Sequence, residues 1–326
     1  MKQQAFSNIL LGCAVLIAHS PTFAGFVYKV PAPGVVAAAG APAIPNACTL
    51  PWGGTLPSGE SVPAYSSQNG TEAALCSTVT TTATCSNGVL SPAGVFQTCA
   101  DHDQYAGAVV AALHFEGANG STGIVNSVGG LTATAVNSAQ LSTAGAIAGS
   151  SSLALDGSQG YSSGRVELSG PAIPATGAFT VEGWIKANSV SASRVIVSQY
   201  TRTSSAGANY TGRFNLSIYG GQLYFSSPAT GEMYGGAIPT GAWVHVALVR
   251  NPATGMMSLY KAGQRVSTLA VASSAALSQM PTWLGMTNNS SYPDAFSGNL
   301  DDFRFTYAAR YTGSSYTPPP TPFLND

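Results

Sequence analysis

Charge is the scarcest property of this chain. Its 326 residues hold 12 Lys and Arg against 13 Asp and Glu, for a formal net charge of −1. Charges so few and so balanced make no basic field to hold nucleic acid or an anionic membrane surface. Long apolar runs are missing too. The stretch from Ile9 to Ala18 is only ten residues, about half of what a helix needs to cross a bilayer. No phosphate loop, H-E-x-x-H pair or dinucleotide fingerprint is present, and no segment carries the period of an ordinary helix. What remains is 45% hydrophobic with 37 Gly. That is enough apolar material for a core, unlike a disordered chain, and enough glycine for many turns.

The N-terminus reads as an address. Lys2 precedes the Ile9 to Ala18 run, and Ser20-Pro21-Thr22-Phe23-Ala24 closes it with small residues. Residues 1–24 are therefore expected to be a secretory signal cut after Ala24. Leu10-Leu11-Gly12-Cys13 has the shape of a lipidation box, which is the alternative. Either way the chain is expected to be secreted or placed at the cell surface, the periplasm included. Cleavage leaves Cys48, Cys76, Cys85 and Cys99. An even number within a short exported stretch implies two disulfides, with all three pairings open. The spacings do not match a zinc knuckle, and His102 reads as a surface residue.

Residues 25–47 hold four prolines among Ala, Val and Gly, and read as a semi-extended, unpaired linker. Residues 48–100 form a Cys-rich module too small to bury much without its staples. Beyond it the pattern is β. Phe214-Asn215-Leu216-Ser217-Ile218-Tyr219 alternates with period two, Gly220-Gly221 turns it, and Gln222-Leu223-Tyr224-Phe225 returns. Val244 to Arg250 is almost continuously apolar, as suits a strand covered on both sides. Many short strands with glycine turns mean a sandwich or a barrel. Trp184 and Trp243 are expected in the core.

Chemistry is hard to find. Retaining glycosidases need two carboxyls about 5 Å apart. Glu167, Glu182 and Glu232 have no acidic partner nearby in sequence, and adjacent Asp301 and Asp302 should point to opposite faces of a strand. Gly160-Tyr161-Ser162-Ser163-Gly164 fits the nucleophile-elbow pattern, but the helix that such an elbow opens is missing. Neither feature makes the chain an enzyme. A sugar site needs an aromatic ring and polar neighbours. The loop candidates are Tyr200, Arg202, Tyr210 and Arg213 in one segment, and Asn288, Tyr292 and Asp294 in another.

An ordered set of motifs narrows the fold. His114-Phe115-Glu116-Gly117, Leu153 to Gly157, Phe179 to Ile185, Trp243 to Arg250 and Asn299 to Thr306 follow one another along the chain. Residues 109–326 thereby resemble the laminin-G-like, concanavalin A-like jelly rolls of bacterial secreted and phage-tail proteins. The resemblance implies an all-β, two-sheet antiparallel jelly-roll sandwich behind a small disulfide-stapled β module. It also implies a structural calcium where first and last strands meet, held here by Glu116 and Asp301. The implied role is non-enzymatic adhesion or binding, toward a cell-surface glycan or protein. The alternative is a structural or decoration part of a pilus-tip or phage-derived assembly, with no small ligand. Ligand identity and oligomeric state do not follow from the sequence.

Overall fold

The computed structural model describes residues 27–29, 46–72, 74–158, 162–199, 213–287, 294–319 and 322–324. Among the described residues there is no α-helix; helical content is limited to short 3-10 turns such as Cys76–Thr78 and Ala106–Ala108. Eight short strands build the N-terminal module. They are β1 (Val27–Lys29), β2 (Cys48–Thr49), β3 (Thr55–Leu56), β4 (Ser61–Tyr65), β5 (Asn69–Thr71), β6 (Thr80–Ser86), β7 (Val89–Ser91) and β8 (Thr98–His102). They pair as β1-β8-β5, β2-β3 and β4-β6-β7.

Strand β1 corrects the expectation that the whole 25–47 segment is unpaired. Val27–Lys29 runs antiparallel to β8, with Tyr28 opposite Cys99. The physical reason is local, because the prolines begin at Pro31 and leave the N–H groups before it free to join a ladder.

Of the three pairings, the structure selects Cys48–Cys85 and Cys76–Cys99. Cys48 and Cys85 sit among Leu56, Val62, Ala64, Ala83 and Val95. Cys76 and Cys99 pack beside Tyr65. These are very small cores, so the covalent links carry much of the module. Replacing Cys48 and Cys85 together with serine is expected to cost about 2–5 kcal/mol. Calorimetry should then show the module melting before the remaining sheets; a single unshifted transition would contradict this.

The larger domain starts with β9 (Val109–Leu113), β10 (Ala133–Val136), β11 (Gln140–Ser142), β12 (Ser152–Asp156), β13 (Arg165–Leu168), β14 (Phe179–Ala187) and β15 (Arg194–Gln199). It continues through β16 (Phe214–Tyr219), β17 (Gln222–Ser227), β18 (Gly231–Ala237), β19 (Val244–Asn251), β20 (Met256–Lys261), β21 (Gln264–Ala270), β22 (Thr282–Leu284) and β23 (Ser297–Thr306). Seven strands form one sheet in the order β10-β13-β22-β15-β16-β17-β18. The other runs β11-β12-β23-β14-β19-β20-β21, with β9 pairing the second half of β23. This is the anticipated jelly-roll sandwich behind a disulfide-stapled module.

Alternation decides which side chains fill it. Phe214, Leu216 and Ile218 enter the core between the sheets, together with Val181, Ile185, Leu248, Phe303 and Phe305. Strand β19 is covered on both sides, as its apolar run suggests. Val244, Val246 and Leu248 face the core, while Ala247 and Val249 pack under Tyr311 and Tyr316 of the chain's last segment. The two tryptophans depart from expectation. Trp184 is half-buried on the outer side of its sheet, edge-on to His245 at 5.2 Å. Trp243 is half-buried just before β19 and donates its indole N–H to Gly145 O at 3.0 Å. Neither is in the core.

The outer face of the eight-stranded sheet is covered. Arg304 on β23 is fully buried between Glu182 of β14, Glu72 of the N-terminal module and Asp103 just after β8. Arg310 reaches the same acids, with Nη2 beside Asp103 Oδ2 at 2.5 Å. Tyr311 donates to Glu182 Oε2 at 2.6 Å, and Tyr316 meets His245 Nδ1 at 2.9 Å. Phe323 lies against the Arg304 guanidinium at 4.3 Å. Module, last segment and sheet thus share one buried charged cluster.

Candidate functional site

Two regions have the chemistry for a site. The first is where β23 passes the loop after β11. Leu300 and Phe303 both enter the core, although three residues apart on one strand. The spacing requires a bulge, and the register of β14 against β23 shifts between Glu182 and Trp184. Asp302 adopts the left-handed φ of 49° that goes with it. The expectation that Asp301 and Asp302 face opposite ways therefore fails, because the bulge places both on the outer side. They still accept from different donors. Asp302 takes His114 Nδ1 at 2.5 Å and the N–H of Phe323 at 2.7 Å. Asp301 Oδ2 accepts the N–H groups of Ile147 and Ala148 at 2.9 and 3.2 Å.

Glu116 reaches the same loop. Its carboxylate accepts from the Ser150 N–H at 2.9 Å and the Ser150 hydroxyl at 2.6 Å. It lies where a side chain at Gly149 would stand: an added Cβ would fall 1.7 Å from Glu116 Oε1. The two acids expected to hold calcium are thus brought to one loop. Burial pushes the Asp301 carboxyl up to about 7. The Ala148 and Ile147 N–H groups oppose that rise, and the neighbouring charges of Asp302 and Glu116 add to it. Asp301 Oδ1 is buried with no hydrogen-bond partner. An unpaired carboxylate oxygen beside a second carboxylate fits a cation. Among the described residues, however, no group of three or more acids, histidines or cysteines is arranged so as to hold a metal ion. A calcium here would need most of its oxygens from backbone or solvent.

The second region is the outer face of the seven-stranded sheet, which the module and last segment leave uncovered. One cross-strand row begins with Thr134 opposite Glu167 and Glu167 opposite Trp283. It continues through Ser198 and Asn215 to Ser226 and Glu232. Its middle is closed over. Ser198 and Ser226 are buried, Ser198 donating to Met286 O at 2.8 Å and Ser226 receiving Arg213 Nη2 at 3.3 Å. Asn215 Oδ1 and Ser217 Oγ are buried there without partners.

Beyond this middle the rings Tyr219, Tyr224 and Tyr234 form a ladder, with centroids 5.2 and 4.8 Å apart. Tyr219 and Tyr234 are exposed. At the other end Arg165 sits over the Trp283 ring at 4.6 Å and pairs with Glu167 at 2.6 Å. A groove of about 320 Å³ opens beside them.

Of the loop residues expected to meet a ligand, Arg213 and Asp294 are brought to the sheet's middle. Burial raises the Asp294 carboxyl, against the pull of Ser193, Arg194 and Arg213. Tyr200, Arg202, Tyr210, Asn288 and Tyr292 lie outside the described residues. Sequence reading missed Trp283, Glu167 as its neighbour, and the tyrosine ladder. The available signal was alternation in Thr282-Trp283-Leu284, which sends Trp283 away from the side that Leu284 fills. Ser162 is exposed, and the next described strand after it is β13, not a helix.

Residues 158–311 match the family model described as the concanavalin A-like lectin/glucanases superfamily, laminin-G type. The jelly-roll domain is of that type. No curated protein matches the chain. One similar solved structure is botulinum neurotoxin type C, studied for its interaction with two ganglioside molecules; it is 15% identical over 64% of this chain and 49% of that one, with a TM-score of 0.49. Another is domain 4 of AbnA, a GH43 extracellular arabinanase from Geobacillus stearothermophilus in complex with arabinotriose. It is 16% identical over 62% of this chain and 93% of that one, with a TM-score of 0.43. The binding domain of Paraclostridial Mosquitocidal Protein 1 is 16% identical over 64% and 51%, with a TM-score of 0.47. This chain spans about half the length of the solved neurotoxin and mosquitocidal chains that it matches.

Proposed function

We propose that this chain is an exported, non-enzymatic recognition protein whose jelly-roll domain binds a glycan, and that it serves adhesion at a cell surface. The observation that carries the reading is the asymmetry of the sandwich. One outer face is sealed by the module and the last segment through Arg304, Arg310, Tyr311 and Phe323. The other presents aromatic rings beside hydroxyls and carboxylates, which is what stacking on a sugar and fixing its hydroxyls require. Export is supported by the signal-like N-terminus and by two disulfides, which persist in oxidising compartments. No helix among the described residues is long and apolar enough to cross a membrane.

Glu116 and Asp301 would hold the calcium, which would supply the positive charge that the buried Asp301 Oδ1 lacks. It would fasten the 147–150 loop to β23 and thus act on stability.

The test is a glycan array probed with the chain from Gly25, in calcium and then in chelator. Saturable binding to one glycan class is expected. Because the calcium loop and the open sheet face lie on different sheets, chelation should lower the melting temperature more than it weakens binding. A blank array in both conditions would overturn the glycan reading.

A further inference from the structure

We infer that the groove beside Trp283 is a subsite for one or two neutral sugar rings of the glycan. The inference rests on the recognition reading above and goes further by naming place and chemistry. The groove measures about 320 Å³, at the small end of the roughly 300–1,000 Å³ typical of ligand sites. Its lining is of two kinds. Trp283 and Met280 supply an apolar wall, and Met280 is exposed. Thr132, Thr134, Ser169 and Glu167 supply three hydroxyls and a carboxylate. An apolar ligand would leave those four polar groups unmatched, at a cost.

An acidic ligand is disfavoured as well. The carboxylate of Glu167 is the charge that lines the groove. The neighbouring cation, Arg165, is already engaged by that carboxylate and by the indole, and does not line the groove. A neutral, hydroxyl-rich ring satisfies both halves of the lining. It packs one face on the indole and donates its hydroxyls to Glu167. The register explains why this place is preformed. Thr134, Glu167 and Trp283 stand opposite one another on three adjacent strands, β10, β13 and β22. Their backbones are fixed by the sheet, and the Arg165 guanidinium holds the indole plane from one side.

The experiment follows the indole N–H resonance of Trp283 in the ¹⁵N-labelled chain, identified by its loss in Trp283→Phe. The probes are the methyl glycosides of glucose, galactose, mannose and arabinose, with N-acetylneuraminic acid as the acidic comparison. A saturable shift with at least one neutral glycoside, and none with the acid, is expected. Trp283→Ala, titrated with the same glycoside by calorimetry, should bind it roughly tenfold or more weakly through loss of the stacking surface. Thr134→Val, an exposed change that leaves the core intact, should weaken binding by a smaller factor.

No shift with any neutral glycoside, or a shift with the acid alone, would overturn the inference. If a glycan from the array binds Trp283→Ala as tightly as the unaltered chain, the groove assignment falls while the recognition reading stands. A blank array together with no Trp283 shift would overturn both.

Discussion

Replacing Arg304 with alanine should cost about 3–5 kcal/mol, the usual penalty for stranding buried partners of an ion pair. In a domain of this size that lowers the melting temperature by roughly 6–20 °C. Arg304 is fully buried and meets Glu182, Glu72 and Asp103 at 2.8, 2.5 and 3.3 Å. Without it, Glu182 keeps only the 3.5 Å contact to Arg310, the Tyr311 hydroxyl and a poorly aligned His245 at 3.4 Å. The double change Arg304→Met with Glu182→Gln should recover part of the loss, because it removes both charges and leaves fewer unpaired ones. An Arg304→Ala chain that melts like the unaltered one would show that the cluster holds nothing.

The same cluster has an acid limit. Burial alone would raise Glu182, but Arg304, His245 and Arg310 hold it well below the usual carboxylate range. Its contribution is therefore present above the ordinary carboxylate pKa and is lost only as pH falls through the depressed value. Glu72 behaves oppositely. Burial raises it in spite of Arg304 and Arg310, so its ionisation at higher pH works against the fold. Acid titration followed by circular dichroism should then show the arginine-held part of the cluster surviving well into the acid range.

Asp301 should give the second large effect. Its folded value of about 7 against an ordinary 3.8 means that its contribution is full below about pH 4 and is lost as pH rises through 7. At about 1.4 kcal/mol per pKa unit, the loss is on the order of 2–4 kcal/mol between pH 4 and pH 8. Asp301→Asn should lack that slope, which comparison of the two melting curves across pH would reveal. Calcium at pH 8 should stabilise the unaltered chain by several degrees and leave Asp301→Asn unchanged. Equal slopes in the two proteins would show that Asp301 does not carry the titration, and no effect of calcium on the unaltered chain would rule it out as a cation ligand.

Much of this fold was legible because its information is local. Phe214 to Tyr219 alternates, and its apolar members fill the core; the run from Val244 to Arg250 is covered on both sides. What escaped depends on pairing between distant segments. Asp301 and Asp302 share a side because β14 and β23 slip by one residue, which neither strand states by itself. Trp184 reads as core until His245 and the last segment show that the outer side of its sheet is also covered. Glu72 and Asp103 look like ordinary acids, and only docking turns them into partners of Arg304 and Arg310. Trp283 was within reach of alternation, but its strand is three residues long, too short for a period to stand out.

The covered face also fixes which way the protein looks. The N-terminal module sits on the outer side of one sheet, and the groove opens on the outer side of the other, across a sandwich about 10 Å thick between sheets. Any support that holds the chain by its N-terminal side therefore turns the aromatic face away from itself. The tyrosine ladder and Trp283 would then meet the surroundings and not the anchor, with Arg304 setting the pose of the whole display.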